Sequence, residues 1–272
     1  MNTRFAIFAD GSNLYGSLSR TLGVEVTDYE RLFRRIFSDS ANAWKTSTIL
    51  GQEPTCQLTR VYWYVIGAID EWDIKNPRTE SSLKALFDSR DASDLRSGYL
   101  ARASAGAPDL SAQQAQQKAF NLCVSDFDGW YSRQNERLRR MRSFYCAVRN
   151  RTDLLDIIEC GRWKIDFLSR RVIEKGLDTQ LAVDMLDLID TYDVAIVVSG
   201  DADSIPSIRY AKRHGKQVIA VEFRDDRQAA SPFSSQLKTT ADILVQLRHS
   251  DLIHESFVRK RDANNSGANG YD

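Results

Sequence analysis

The 272-residue sequence predicts an α/β protein, a three-layer sandwich with a mainly parallel central sheet and a mostly helical insertion. Three observations predict it. Four of the five strand-like segments are nearly continuous apolar runs, as strands buried on both faces of a parallel sheet read. Helical patterns alternate with those runs. Hydrophobic residues make up 42% of the chain, enough for one substantial core.

In chain order, the strand segments are residues 5–9 (FAIFA), 61–66 (VYWYVI), 155–160 (LDIIEC), 194–198 (VAIVV) and 218–223 (VIAVEF). Helices are expected around residues 28–37, 131–149, 179–189, 205–214 and 235–247. Residues 76–130 break the rhythm: they are polar, rich in Ala, Ser and Gln, and poor in β-branched side chains. They read as a helical insertion with a loop near residues 104–108. One domain over residues 1–250 is therefore expected, interrupted at about 76–130. Residues 259–272 (RKRDANNSGANGYD) have almost nothing to bury and read as a disordered tail.

Lys plus Arg number 37 and Asp plus Glu number 37, so the net charge is zero. A globally basic coat for nucleic acid is excluded, and any polyanion must meet a local patch. No apolar run approaches the roughly 18 residues of a membrane span, and the N-terminus has no signal-peptide cleavage pattern. Cys56, Cys123, Cys146 and Cys160 lack CxxC spacing. Reduced thiols in a cytoplasmic protein are the expectation.

In an open parallel sheet the functional crevice lies at the carboxyl ends of the strands. Asp10-Gly11-Ser12-Asn13 follows the first strand, and Ser199-Gly200-Asp201-Ala202-Asp203 follows the fourth. A third acid, Asp178, stands at the start of the helix that follows Lys175-Gly176. Each has an ordinary explanation taken singly. Asp178, Asp201 and Asp203 are placed to cap helices, and Asp10 is placed in a turn. Capping does not explain why Asp10, Asp178, Asp201 and Asp203 should meet in one crevice. Carboxylates a few Å apart repel unless some protonate or a cation joins them. An oxygen-only set suits a hard ion such as Mg²⁺ or Mn²⁺. Asp184 ranks lower, because it lies about 9 Å along the helix from Asp178 at 1.5 Å per residue.

FADGSNLYGSL, KGLDTQLAVDML and YDVAIVVSGDADSIPSIRYAKRHGKQVIAVEF occur in this order, and SSQLKTTADILVQL follows. Together they resemble the LabA-like NYN-domain family of PIN-like nucleases, over residues 1–67 and roughly 131–247. The resemblance implies a PIN-like, Rossmann-like sheet and a metal-dependent ribonuclease that leaves 5′-phosphate products. It implies that Asp10, Asp178, Asp201 and Asp203 form the catalytic, metal-holding set, with Asp184 an outlying member. Asn13 and Ser199 would be the polar neighbours. The family usually has Gly between its two late acids and Phe after them, where this chain has Ala202 and Ser204. Carboxylate-held Mg²⁺ or Mn²⁺ would activate a water and neutralise charge on the scissile phosphate.

An acidic site needs basic neighbours to hold RNA. The segment SRQNERLRRMRSFYCAVRNR supplies Arg139, Arg140 and Arg142 among others, against the single acid Glu136. Arg171 and Lys175 adjoin the KGLD motif. An ordinary solvated helix face explains the arginines equally well. The insertion would either gate substrate or dock a protein partner. His214, His249 and His254 do not read as a general base. A haloacid-dehalogenase-type phosphatase would want Asp where Ser12 stands, a Toprim-like site would want Glu at Asp10, and the GxGxxG of a dinucleotide enzyme is absent. The competing expectation is non-enzymatic: a NYN-like scaffold that binds RNA or a protein.

Overall fold

The computed structural model describes residues 2–47, 54–105, 109–228 and 233–260. Strands β1 (Asn2–Asp10), β3 (Thr55–Ile69), β4 (Leu155–Asp166), β5 (Arg171–Lys175), β6 (Val194–Val198), β7 (Gln217–Arg224) and β8 (Ile243–Arg248) form one sheet. Their order is β5-β4-β3-β1-β6-β7-β8. The pairings β1–β3, β1–β6, β6–β7 and β7–β8 are all parallel. The apolar runs form the middle of this sheet, and every residue of β6 is buried. The chain is therefore a mixed α/β fold with a mostly parallel seven-stranded sheet, as expected.

Alternate residues of β1 show why helices cover both faces. Phe5 packs edge-on against Phe37 and Trp44 of helix α2 (Tyr29–Ser47). Phe8, three residues on, packs against Tyr62 of β3 and Tyr192. The Tyr192 hydroxyl donates to the Met185 carbonyl of helix α6 (Leu177–Asp187). Helix α7 (Ile205–Arg213) joins β6 to β7 and buries Ile205, Ile208 and Ala211. These contacts give the three layers.

The chain divides into two units. The first holds residues 1–67, 141–161 and 175–272; the second holds residues 68–140 and 162–174. The second unit has its own core of Leu83, Phe87, Tyr99, Phe120, Phe127 and Phe167. Its helices are α3 (Pro77–Asp88), α4 (Ser93–Ala105) and most of α5 (Ala112–Arg149). The insertion expected at about 76–130 is helical but was drawn too narrowly. Trp72, Ile74, Tyr131 and Leu168 pack on the same core from outside those limits.

Three further expectations are corrected. The helix expected at 235–247 is a short helix, α8 (Ser235–Thr240), followed by β8. Thr240 Oγ1 donates back to the Gln236 carbonyl, Ala241 is extended, and ILVQLR then pairs with β7. Strands β2 (Val24–Val26), β5 and β9 (Val258–Lys260) have no apolar run and were not expected; β2 and β9 pair antiparallel with each other. The expected disordered tail begins with Arg259 and Lys260, which belong to β9; residues 261–272 lie outside the described residues. The loop expected near 104–108 begins within α4, and residues 106–108 are also outside them. Among the described residues no helix is long and apolar enough to cross a membrane.

Candidate active site

At the end of β1 the chain turns directly into α1 (Gly11–Gly16). A Cβ on Gly11 would stand 2.5 Å from the Tyr64 carbonyl oxygen and 2.9 Å from Trp63 Nε1, so only glycine lets α1 lie this close to β3. Asp10, 3% exposed, caps this helix: its Oδ1 accepts from Ser12 N (2.9 Å) and Asn13 N (3.0 Å). Its Oδ2 accepts from Asn13 Nδ2 at 2.7 Å. The cap and the Asn13 amide together fix how the carboxylate is turned.

Gly176, at φ 95°, supplies the left-handed residue that starts α6 and puts Asp178 in its first turn. The Asp178 carboxyl is pushed up to about 6, first by burial and then by the charges of Asp10, Asp201 and Asp203. A hydrogen bond to Asp10 adds to the shift. Of the four acids named from sequence, Asp10 is hydrogen-bonded to Asp178, and Asp201 and Asp203 act on it through their charge.

After β6, Ser199 is buried and its Oγ accepts from Asp201 N at 3.3 Å. Asp201 caps the following 3-10 turn, accepting from Asp203 N at 3.4 Å. Both carboxylates are exposed. Ala202 fits the turn, since Arg170 is the only non-glycine residue with positive φ among the described residues. Ser204 is buried, and its Oγ donates to the Asp201 carbonyl at 3.0 Å. A hydroxyl therefore ties the loop down at the position where the resembling family usually has Phe.

Asp184 is not among the leading influences on Asp178. It accepts from Gln180 Nε2 at 2.7 Å and faces Tyr64 and Cys160. Burial raises the Tyr64 phenol far above its ordinary range, with Asp184 adding to the effect. The phenol oxygen makes no well-formed hydrogen bond with a described residue. Burial, then Asp184, pushes the Cys160 thiol up to about 11.

The arginines of the basic segment pair with carboxylates. Arg139 and Arg140, in the second unit, both pair with Glu136. Arg142 Nε donates to Glu159 Oε2 at 2.7 Å. Arg171 is exposed on β5 in the second unit, while Lys175 is exposed in the first, just before Gly176. His214 stacks on Tyr210 and contacts its carbonyl oxygen, and His249 lies near Asp225. Neither histidine is among the groups that act on Asp178.

Two features were missed in the sequence. Ser12 Oγ and Trp63 Nε1, both beside the Asp10 turn, are buried without a hydrogen-bond partner among the described residues. Beside Asn13 and Ser199 there is also a small, partly open pocket of about 50 Å³. Leu14, Val221, Phe223 and Phe233 give it apolar walls. No local signal marks Phe233, which meets Asn13 only through the fold.

The donor set fits a hard cation, being carboxylate and amide oxygens with no sulfur or imidazole. Among the described residues, however, no group of three or more acids, histidines or cysteines stands ready to hold a metal ion.

The family model described as the NYN domain matches residues 132–245, less than half of the chain. The matched region includes Asp178, Asp201 and Asp203 but not Asp10. The uncharacterized protein MJ0482 of Methanocaldococcus jannaschii is 31% identical over 116 residues, which cover 38% of this chain and 45% of that protein. This chain thus spans less than half of that relative's length. The crystal structure of a protein of unknown function, VPA0982 from Vibrio parahaemolyticus, is 16% identical with a TM-score of 0.38. That comparison covers 90% of this chain and 93% of that one.

Proposed function

We propose that this chain is a divalent-metal-dependent ribonuclease of the LabA-like NYN type, hydrolysing RNA phosphodiester bonds. One observation carries the reading: the Asp178 carboxyl is raised to about 6 by burial and by Asp10, Asp201 and Asp203. A carboxyl on which three other carboxylates act is one that a cation relieves. Asp10, Asp178, Asp201 and Asp203 would hold Mg²⁺ or Mn²⁺, with Asp184 an outlying member. When bound, the ion supplies a Lewis acid for the scissile phosphate and activates a water.

The chain's own residues do the rest. Asn13 holds Asp10 in one orientation, and Ser199 and Ser204 anchor the loop that carries Asp201. Lys175, exposed three residues before Asp178, is the candidate phosphate contact from the KGLD segment. Arg139, Arg140 and Arg142 would have to leave Glu136 and Glu159 to serve RNA. The four cysteines are free, which agrees with work in the reducing cytoplasm.

The scaffold reading keeps one observation of its own, the lack of a ready-made metal cluster among the described residues. Labelled single-stranded and structured RNA, incubated with Mn²⁺, Mg²⁺ or EDTA, separates the two. Divalent-dependent cleavage that disappears in Asp10→Asn and Asp201→Asn supports the nuclease. Binding without cleavage in any of these conditions supports the scaffold.

A further inference from the structure

Helices α6 and α7 lie side by side in the first unit, where Ser207 Oγ of α7 contacts Met185 Sδ of α6 at 3.6 Å. Asp203, just before α7, acts on Asp178 in the first turn of α6, so the two helices begin at the same level. They lead into β6 and β7, which are parallel, so both helices run the same way. Their outward rows differ. α6 exposes Thr179, Val183 and Asp187, spaced by four, and α7 exposes Arg209, Tyr210 and Arg213.

The outward charges are unspent. Lys212 and Lys216, half-buried, are held by Asp242 and by the Tyr192 carbonyl. Among the described residues Asp187 and Arg209 make no ion pair, and Arg213 Nε reaches only the Arg209 carbonyl, at 3.3 Å. Between these charges stand two large apolar side chains, Val183 at 51% exposure and Tyr210 at 38%. His214 stacks on Tyr210 and widens its flat surface. Counted from the helix starts, Val183 and Tyr210 stand about 9 and 8 Å along, and Asp187 and Arg213 about 15 and 12 Å. The two rows therefore match level by level, apolar to apolar and acid to base. They do not pair within the chain, because both point outward.

We propose that this face pairs with a second copy of the chain, α6 of each on α7 of the other, about a two-fold axis parallel to the helices. That axis turns the α6 row onto the α7 row without changing its level or direction. Val183 then meets Tyr210 and Asp187 meets Arg213, twice in each dimer. An axis across the helices would instead set Arg213 over Arg209 and leave Asp187 without a base. Apolar groups at the centre and charges at the rim are the usual arrangement of a protein interface. RNA fits this face less well, since its phosphates would use the arginines but meet Asp187 and Val183 beside them. The helix starts of both copies, and the acids near them, then lie at the same end of the dimer.

Sedimentation velocity of the full chain over a concentration series tests the proposal. The wild type should dimerise, and more weakly as salt rises. Asp187→Arg alone and Arg213→Asp alone should each weaken dimerisation by about 100-fold, because each creates two like-charge contacts in a symmetric pair. An equimolar mixture of the two variants should dimerise again as the wild type does, since each supplies the charge that the other lacks. Mixing does not mend a misfolded chain, so this rescue is specific to the pairing of α6 with α7. Val183→Lys, at the centre, should be monomeric where the wild type is dimeric. A wild type that is monomeric throughout overturns the proposal, as do a mixture that stays monomeric and variants that dimerise unchanged. A monomeric wild type whose affinity for labelled RNA falls in Arg213→Asp would assign the face to RNA. None of these substitutions touches the acids, so the result does not depend on the ribonuclease reading.

Discussion

Asp178 shows how much a single side chain reports here. Its folded carboxyl titrates at about 6, above the ordinary carboxylate range, through burial and the pressure of Asp10, Asp201 and Asp203. Between pH about 4 and 6 the folded state therefore holds more protons than the unfolded one. Stability contributed by the protonated form is complete below pH about 4 and is lost as the pH rises through 6. The carboxyl is only half-buried, so solvent screening cuts the effect to about 1 kcal/mol. Asp178→Asn should remove this decline and raise the metal-free melting temperature at pH 7. Mg²⁺ or Mn²⁺ should raise the wild-type midpoint at pH 7 but not the variant's. Differential scanning fluorimetry from pH 4 to 8 reads all three, and identical profiles for the two proteins would sink this account of the acids.

At the scale of elements, helix α5 looks basic in sequence and is largely neutralised in space. Arg139 and Arg140 share Glu136 within the helix, a pairing that i,i+3 and i,i+4 spacing makes legible. Arg142 meets Glu159 of β4, which no local pattern reveals. Exposed pairs of this kind contribute about 0–1 kcal/mol each, so replacing all three arginines should leave the fold intact. Replacing them together should change the slope of log affinity against log salt for single-stranded RNA by less than about 0.7, the loss expected for one phosphate contact. Fluorescence anisotropy across a salt series measures it, and a slope change near 2 would show that all three arginines leave their carboxylates for RNA. The elements themselves divide in the same way. β1, β6 and β7 are legible because continuous apolar runs need no partner to be recognised. β8 was mistaken for helix because a short apolar run fits either period, and its parallel partner β7 decides.

At the scale of the whole molecule, the chain builds two cores. Deleting residues 76–130 would remove Leu83, Phe87, Tyr99, Phe120 and Phe127 but leave Trp72, Ile74, Phe167 and Leu168, which pack on them. Such a truncation should expose that apolar surface, bind hydrophobic dye and aggregate on size-exclusion chromatography. A monomeric, dye-silent product would mean that the second core is dispensable to what remains.

The sequence by itself determined the class of fold, the order of the motifs and the identity of the four acids. Apolar continuity, glycines at tight turns and acids after strands are local properties that chemistry reads residue by residue. The tertiary structure decided which acids act on which groups: Asp10, Asp201 and Asp203 on Asp178, and Asp184 on Tyr64 and Cys160. It also decided that Ser204 anchors the Asp201 loop and that Phe233 walls a pocket beside Asn13. These outcomes depend on distances between segments far apart in the chain. Strand pairing and helix packing set those distances, and no window of sequence contains them.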